Sequence, residues 1–338
     1  MKKIKLHGKY IKTAFITATL VTSFFAQANF VEEKIAIDNP KTCFTGPFST
    51  YEYWMDYNNK KFSRYNKKKF AKWYPKERFD KIKNNIECFD FTYQVDGFTI
   101  AGFYLKPKQV IDKKLPVVIY NRGGNGAYGT TPFDIKVGKL AELVKEGFIV
   151  IGSLYRGSSL SILNNGEDEF GGADIKDVLA LTKILEALPE ADTSRVGMYG
   201  WSRGGMQTYI AAQSLPNIKA IAVGAGVSNQ ELALKIRPKM ENVLIKRVPN
   251  FKENRAVELE KRSAIKWIDK LPKQAPILLL HGDKDKRVNV KQSIQLAAAL
   301  KKENHPHKLV VYPGGNHGLK RESKKVNQEV ATWFKKYL

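Results

Sequence analysis

Short apolar runs separated by helical stretches constrain this chain more than any other feature. The runs are Pro116–Tyr120, Phe148–Leu154, Val196–Tyr199, Ala220–Val223, Ile277–Leu280 and Lys308–Tyr312. Continuous apolar character over so few residues suits strands buried on both faces, the condition inside a parallel sheet. Helices are expected between them, near 134–146, 174–188, 203–214, 291–302 and 321–337. This alternation predicts an α/β fold with a mostly parallel, doubly covered sheet. Ahead of it, Phe89–Val95 and Phe98–Leu105 alternate in polarity and flank Asp96-Gly97, a hairpin dipeptide. That hairpin is expected to form the antiparallel edge. Residues 226–273 separate a pair of strands by more than a loop and are polar and helix-prone, so they are expected to form a small helical cap.

One turn in this pattern carries chemistry. Gly200-Trp201-Ser202-Arg203-Gly204 follows the run Val196–Tyr199 directly and opens the helical stretch that begins at Arg203. A G-x-S-x-G pattern between strand and helix lifts a serine hydroxyl above the sheet edge, with glycines where side chains would strike the neighbouring backbone. A serine is a weak nucleophile and needs a base held by an acid. In the α/β-hydrolase fold these follow in the chain order Ser, Asp or Glu, His. His317 supplies the base, in a glycine-rich loop after the last strand run, where open α/β sheets collect their ligands. His305 and His307 precede that strand, His281 ends the strand before it, and His7 lies in the leader. Two aspartates follow the strand Ile277–Leu280, Asp283 and Asp285, and spacing alone does not choose between them.

The N-terminus reads as a signal peptide: five lysines, an apolar stretch from Thr13 to Phe25, then Ala26-Gln27-Ala28. Residues 1–28 are therefore expected to be removed, and the mature protein to be exported, to the periplasm in preference to the medium. No later segment reads as a transmembrane helix. Residues 29–87 form a basic, aromatic extension before a catalytic domain expected at 88–338. The formal net charge is +24. Lysines around 59–88 are expected on a solvated helical face with aromatics turned inward, or as attraction to an anionic envelope surface. An exported chain has no reason to meet nucleic acid. Cys43 and Cys88 can pair in an oxidising compartment. No cluster has metal-ligand spacing, and no cofactor is implied.

The chain resembles the catalytic domain of the prolyl oligopeptidase family of serine peptidases over roughly residues 90–335. The resemblance is carried by Tyr155-Arg156-Gly157-Ser158, by Phe170–Val178 (FGGADIKDV), by Gly200–Gly205 (GWSRGG), by Arg262–Ile265 (RSAI) and by His281–Val288 (HGDKDKRV). It implies an α/β-hydrolase fold with a triad of Ser202, Asp285 and His317. A tetrahedral intermediate also needs two oxyanion donors. These are expected to be the backbone N–H of Trp201, read as the amide beside the nucleophile, and a group from the loop Asn121–Gly126, with Gly124 and the Arg122 side chain as candidates. Arg122 stands where the family often has an aromatic or histidine. The family's peptidases commonly carry a β-propeller, for which residues 29–87 are too short. They also often carry an acid before Y-R-G-S, where this chain has Ser153 and Leu154.

The leading expectation is thus an exported serine hydrolase acting on a small peptide or amide through an acyl-enzyme. A carboxylesterase is the alternative. A non-catalytic envelope-binding protein is the reading from another class.

Overall fold

The computed structural model describes residues 35–110, 114–129 and 131–338; the expected signal peptide lies outside them. Its centre is a nine-stranded sheet in the order β1-β2-β3-β5-β4-β6-β7-β8-β9. The strands are β1 (Asp38–Thr42), β2 (Ile86–Val95), β3 (Phe98–Pro107), β4 (Leu115–Asn121), β5 (Ile149–Ser153), β6 (Ala191–Trp201), β7 (Ala220–Gly224), β8 (Ile277–Gly282) and β9 (His307–Tyr312). From β5 to β9 neighbouring strands are parallel, while β1, β2 and β3 add an antiparallel flank. Every residue of β5, β7 and β8 is buried, as the continuous apolar runs predict. At the β2–β3 hairpin, Asp96 and Gly97 both take positive φ (51° and 77°), the twist that a two-residue turn requires.

The helices are α1 (Tyr51–Lys61), α2 (Lys67–Trp73), α3 (Lys76–Asn85), α4 (Phe133–Ile135), α5 (Ala141–Lys145), α6 (Ile175–Glu186), α7 (Arg203–Gln213), α8 (Gln230–Ile236), α9 (Glu241–Arg247), α10 (Arg255–Lys261), α11 (Lys291–Lys302) and α12 (Ser323–Tyr337). They cover both faces, because successive strand residues point to opposite sides. Val118, Tyr120, Val150 and Leu278 face α5 and α12 through Leu143, Val144, Val330 and Phe334. Val117, Ile119, Ile151 and Leu279 face α6, α7 and α11 through Val178, Leu181, Tyr209 and Leu296. Among the described residues, no helix is long and apolar enough to cross a membrane.

Two expectations are corrected. The hairpin is not the edge of the sheet, because β1 pairs antiparallel with β2 outside it, from Asp38 opposite Thr92 to Thr42 opposite Phe89. Five residues reading Asp-Asn-Pro-Lys-Thr carry no strand pattern, so only pairing with β2 makes them one. Nor are residues 35–87 a separate extension. The expected boundary at Cys88 falls inside β2, and Lys34–Leu338 form one compact unit.

Some aromatics of the N-terminal helices turn inward, while Tyr53 of α1 stays 59% exposed. Trp54 and Phe79 are buried and join the core on the α5/α12 face, meeting Phe133 at 5.0 and 6.2 Å between ring centroids. Cys43 and Cys88 are bonded, with Cα atoms 5.3 Å apart, which closes a loop with a sequence separation of 45. A cross-link of that span restricts the unfolded chain by about 4 kcal/mol in the chain-entropy account.

Candidate active site

Ser202 follows β6 and opens α7 at φ 60°, ψ −122°, a backbone region that an L residue adopts only when its surroundings hold it there. They do so through three hydrogen bonds. The Ser202 N–H donates to Gly224 O (2.9 Å), and Ser202 O accepts from Gly205 (3.0 Å) and Val227 (3.4 Å). The flanking glycines are required sterically. A Cβ on Gly204 would lie 1.9 Å from Asn121 O, and one on Gly200 would lie 2.2 Å from Gly204 O.

The loops after β8 and β9 bring an acid and a base to this serine. His317 Nε2 lies 3.0 Å from Ser202 Oγ, and His317 Nδ1 lies 2.7 Å from Asp285 Oδ2. Of the two candidate aspartates, Asp285 is the one that meets His317. Its other oxygen accepts from the N–H groups of Arg287 (2.7 Å) and Val288 (3.0 Å). Burial opposes its ionisation, but bonds from His281, His317 and the Val288 amide outweigh burial and hold its carboxyl well below the usual carboxylate range. Asp283 instead accepts from the Gly314 N–H at 2.7 Å and ties the two loops together. His281 is buried between Ser293 Oγ (2.7 Å) and Val288 O (2.9 Å). It braces the acid loop and does not face Ser202.

The oxyanion side departs from expectation in two ways. Trp201 precedes Ser202 and closes β6 in register with Gly224, so the amide that follows the nucleophile belongs to Arg203. At the first position of α7 that N–H has no intrahelical acceptor. The role Trp201 does play is through its indole, which donates to His317 O at 3.1 Å and carries Lys139 Nζ 3.2 Å from its ring centroid. Burial pushes Lys139 down to about 7.

Second, the Arg122 side chain offers nothing to a substrate. A guanidinium has five N–H donors, and these go to the carbonyls of Leu154 (2.9 and 2.6 Å), Gly123 (2.9 Å), Gly126 (3.0 Å) and Tyr128 (3.5 Å). The loop it shapes does lie against the nucleophile: a Cβ on Gly123 would come within 3.2 Å of Ser202 Cβ. The Gly124 N–H has no protein acceptor among the described residues.

Sequence reasoning missed the struts beneath this site. Arg203 is buried and pairs with Asp168 (2.6 Å) and Asp174 (2.7 Å), while its other terminal nitrogen reaches Gly124 O at 3.0 Å. Asp168 also accepts from the Gly126 N–H. Burial opposes the Asp168 charge, but Arg203 and the Gly126 and Phe170 amides bring its pKa down to about 2. One network thus fixes both the residue after the nucleophile and the loop opposite it. The other segments that carry the family resemblance are also braces: Arg156 pairs with buried Asp177 at 2.7 Å, and Arg262 donates to the carbonyls of Phe170 (2.8 Å) and Glu169 (3.0 Å). The signal available was the coincidence of Asp and Arg in otherwise apolar, glycine-rich segments. Their pairing spans tens of residues and leaves no local pattern.

A cavity of about 620 Å³ opens over Ser202 and His317. Residues 226–273 supply α8, α9 and α10, and Val227, Ala233 and Met240 from this cap wall the cavity opposite Gly123 and Gly124. An apolar cluster of Phe170, Met206, Leu234, Leu244 and Phe251 fastens the cap to the nucleophile helix α7.

Comparison with known proteins agrees with this architecture. Residues 136–338 match the prolyl oligopeptidase family, peptidase family S9. The uncharacterized peptidase YtmA of Bacillus subtilis is 24% identical over 262 residues, which cover 77% of this chain and 98% of that protein. The acylamino-acid-releasing enzyme of Rattus norvegicus is 30% identical over 259 residues, covering 70% of this chain but 32% of its own. The acylaminoacyl peptidase of Pyrococcus horikoshii superposes with a TM-score of 0.63 at 23% identity, over 75% of this chain and 42% of that one, a likeness of fold. This chain therefore belongs to the prolyl oligopeptidase family of serine peptidases.

Proposed function

We propose that the protein is an exported hydrolase that cleaves an amide bond of a small peptide through an acyl-enzyme, with Ser202, His317 and Asp285 as its triad. The observation that carries this reading is the unbroken line Asp285–His317–Ser202 at 2.7 and 3.0 Å beside an open cavity. His317 Nε2 takes the Ser202 proton as Oγ bonds to the substrate carbonyl carbon, and Asp285 holds the ring and balances the imidazolium. The carbonyl oxygen receives the displaced electron pair, facing the N–H groups of Arg203 and Gly124. Collapse breaks the C–N bond, and the amine leaves with the proton from His317. Water then attacks the acyl-enzyme by the same base, releasing the acid and restoring Ser202.

Export is supported by the basic, apolar, A-x-A leader and by the Cys43–Cys88 bond, since structural disulfides persist in oxidising compartments. The mass of the protein recovered from a periplasmic extract tests it: cleavage after Ala28 is expected, and retention of the leader on cytosolic protein rejects export.

A fluorophosphonate probe tests the mechanism. Labelling of the wild type and its loss in Ser202→Ala are expected. A folded wild-type protein that resists the probe rejects the reading. A panel of peptidyl anilides against short acyl esters tests the bond cleaved. Turnover of esters alone would move the assignment to a carboxylesterase.

A further inference from the structure

The cavity over Ser202 has a one-sided charge. Four arginines line it, Arg122, Arg203, Arg237 and Arg287, and not one Asp or Glu does. Two of the four are committed, Arg122 to backbone carbonyls and Arg203 to Asp168 and Asp174. The other two are available. Arg237 caps the C-terminus of α8 in the cap, is exposed, and has no ion-pair or hydrogen-bond partner for its side chain among the described residues. Arg287, on the loop after β8, is exposed, with a single 3.5 Å contact from Nη1 to the Tyr128 hydroxyl. A third guanidinium, Arg247 of α9, packs over Gly126 with its Nε buried and unpartnered.

Elsewhere exposed arginines are paired with acids, as Arg255 is with Glu241, or carry no ion pair among the described residues, as Arg64 and Arg321. Two free guanidinium groups in a cavity with no carboxylate among its lining residues suit a ligand that brings its own. Phe170, Val227 and Met240 give the same cavity an apolar lining beside polar Gln230 and Gln292.

Resting on the hydrolytic reading of Ser202, we infer that the enzyme selects acyl substrates bearing a free carboxylate beside an apolar group, such as acidic peptides, with Arg237 and Arg287 as the specificity-determining residues. The two free guanidinium groups of the cavity receive the carboxylate by charge-assisted hydrogen bonds. The net charge of +24, which is 24 − 5 = +19 without the five leader lysines, draws anionic substrates toward the cavity and penalises cationic ones.

The test is kcat/KM on matched acetyl-dipeptide 4-nitroanilides and thiobenzyl esters carrying Glu, Gln or Lys at the scissile bond or one residue before it. The Glu member is expected to exceed Gln by about tenfold, as two partly solvated ion pairs allow, with Lys lowest. Raising ionic strength shortens the screening length and is expected to shrink that ratio. Arg237→Gln and Arg287→Gln are each expected to lower it about threefold. The ratio is internal to each variant, so a general loss of activity or folding cancels from it. A wild-type Glu-to-Gln ratio of one or less overturns the inference. A high ratio untouched by both variants overturns the assignment to these arginines. Parallel fluorophosphonate labelling separates the two failures: labelled protein with no anion preference rejects this inference alone, whereas unlabelled protein rejects the hydrolytic reading and this inference with it.

Discussion

Two turns at the C-terminal ends of the neighbouring strands β4 and β6 pack against each other beside the cavity, and each carries a buried arginine. They are built by different physics. The β6 turn is held by backbone: glycines at 200 and 204 admit its close approach, and Ser202 is held at positive φ by main-chain bonds to Gly205, Gly224 and Val227. The β4 loop is held by charged side chains instead. Its shape comes from Arg122 gathering carbonyls up to Leu154, from Asp168 receiving the Gly126 N–H, and from Arg203 reaching Gly124 O. The two arginines differ accordingly. Arg122 sits among neutral carbonyls, and burial with Arg203 nearby pushes its pKa down to about 10. Burial acts on Arg203 too, but Asp174 and Asp168 more than offset it and raise its pKa. One side of the site is therefore made by strain stored in a turn, and the other by charges brought from distant segments.

The comparison can be broken at its centre first. Ser202→Ala is expected to lower kcat by about 10⁴- to 10⁶-fold while leaving the circular dichroism spectrum and melting temperature near wild type, because the residue is needed for chemistry rather than packing. A variant that keeps a tenth of wild-type turnover would remove the serine from the mechanism.

Arg203→Met separates the two turns by stability. It leaves Asp168 and Asp174 buried without their cation, which is expected to cost about 3–5 kcal/mol in urea unfolding. Arg122→Met leaves only neutral carbonyls short of donors, and a smaller loss of about 1–3 kcal/mol is expected. Equal losses would mean that the acids on Arg203 do not distinguish the turns.

The finest test is acid titration. Asp168 has a folded pKa near 2 against an unfolded value close to 3.9, so it binds fewer protons folded than unfolded between them. Its contribution is full above the unfolded value and fades as pH falls from about 4 toward 2, a span worth roughly 2 kcal/mol. The stability difference between wild type and Asp168→Asn is expected to narrow over that window, and a constant difference would show that Arg203 does not hold this carboxylate.

How far these features were legible follows from the range of the forces. The parallel strands and the helices over them were legible because burial on two faces writes a continuous apolar run. The proposed triad was legible because its three candidates each sit just beyond a strand whose run is itself visible, in a chain order that admits few choices. Only family resemblance favoured Asp285 over Asp283, since both follow β8 within three residues of its end. Strand β1 was missed because its residues are polar and mostly exposed, and the sheet edge rather than their own preference extends them. Trp201 was misplaced as a donor because the amide that matters lies on the helix side of the turn. Arg122 reads as a candidate oxyanion donor because its charge is visible in sequence while the carbonyls that consume it are not.

By itself, then, the sequence determined the alternation of strand and helix and offered Ser202 and His317 as candidate nucleophile and base, because each rests on local pattern and side-chain polarity. Tertiary structure decided which aspartate meets His317, that Cys43 and Cys88 bond, that residues 35–87 join the sheet and core, and which arginines face the cavity with their charge free. Those outcomes depend on where distant segments meet, and buried charge is governed by the partners that folding brings to it.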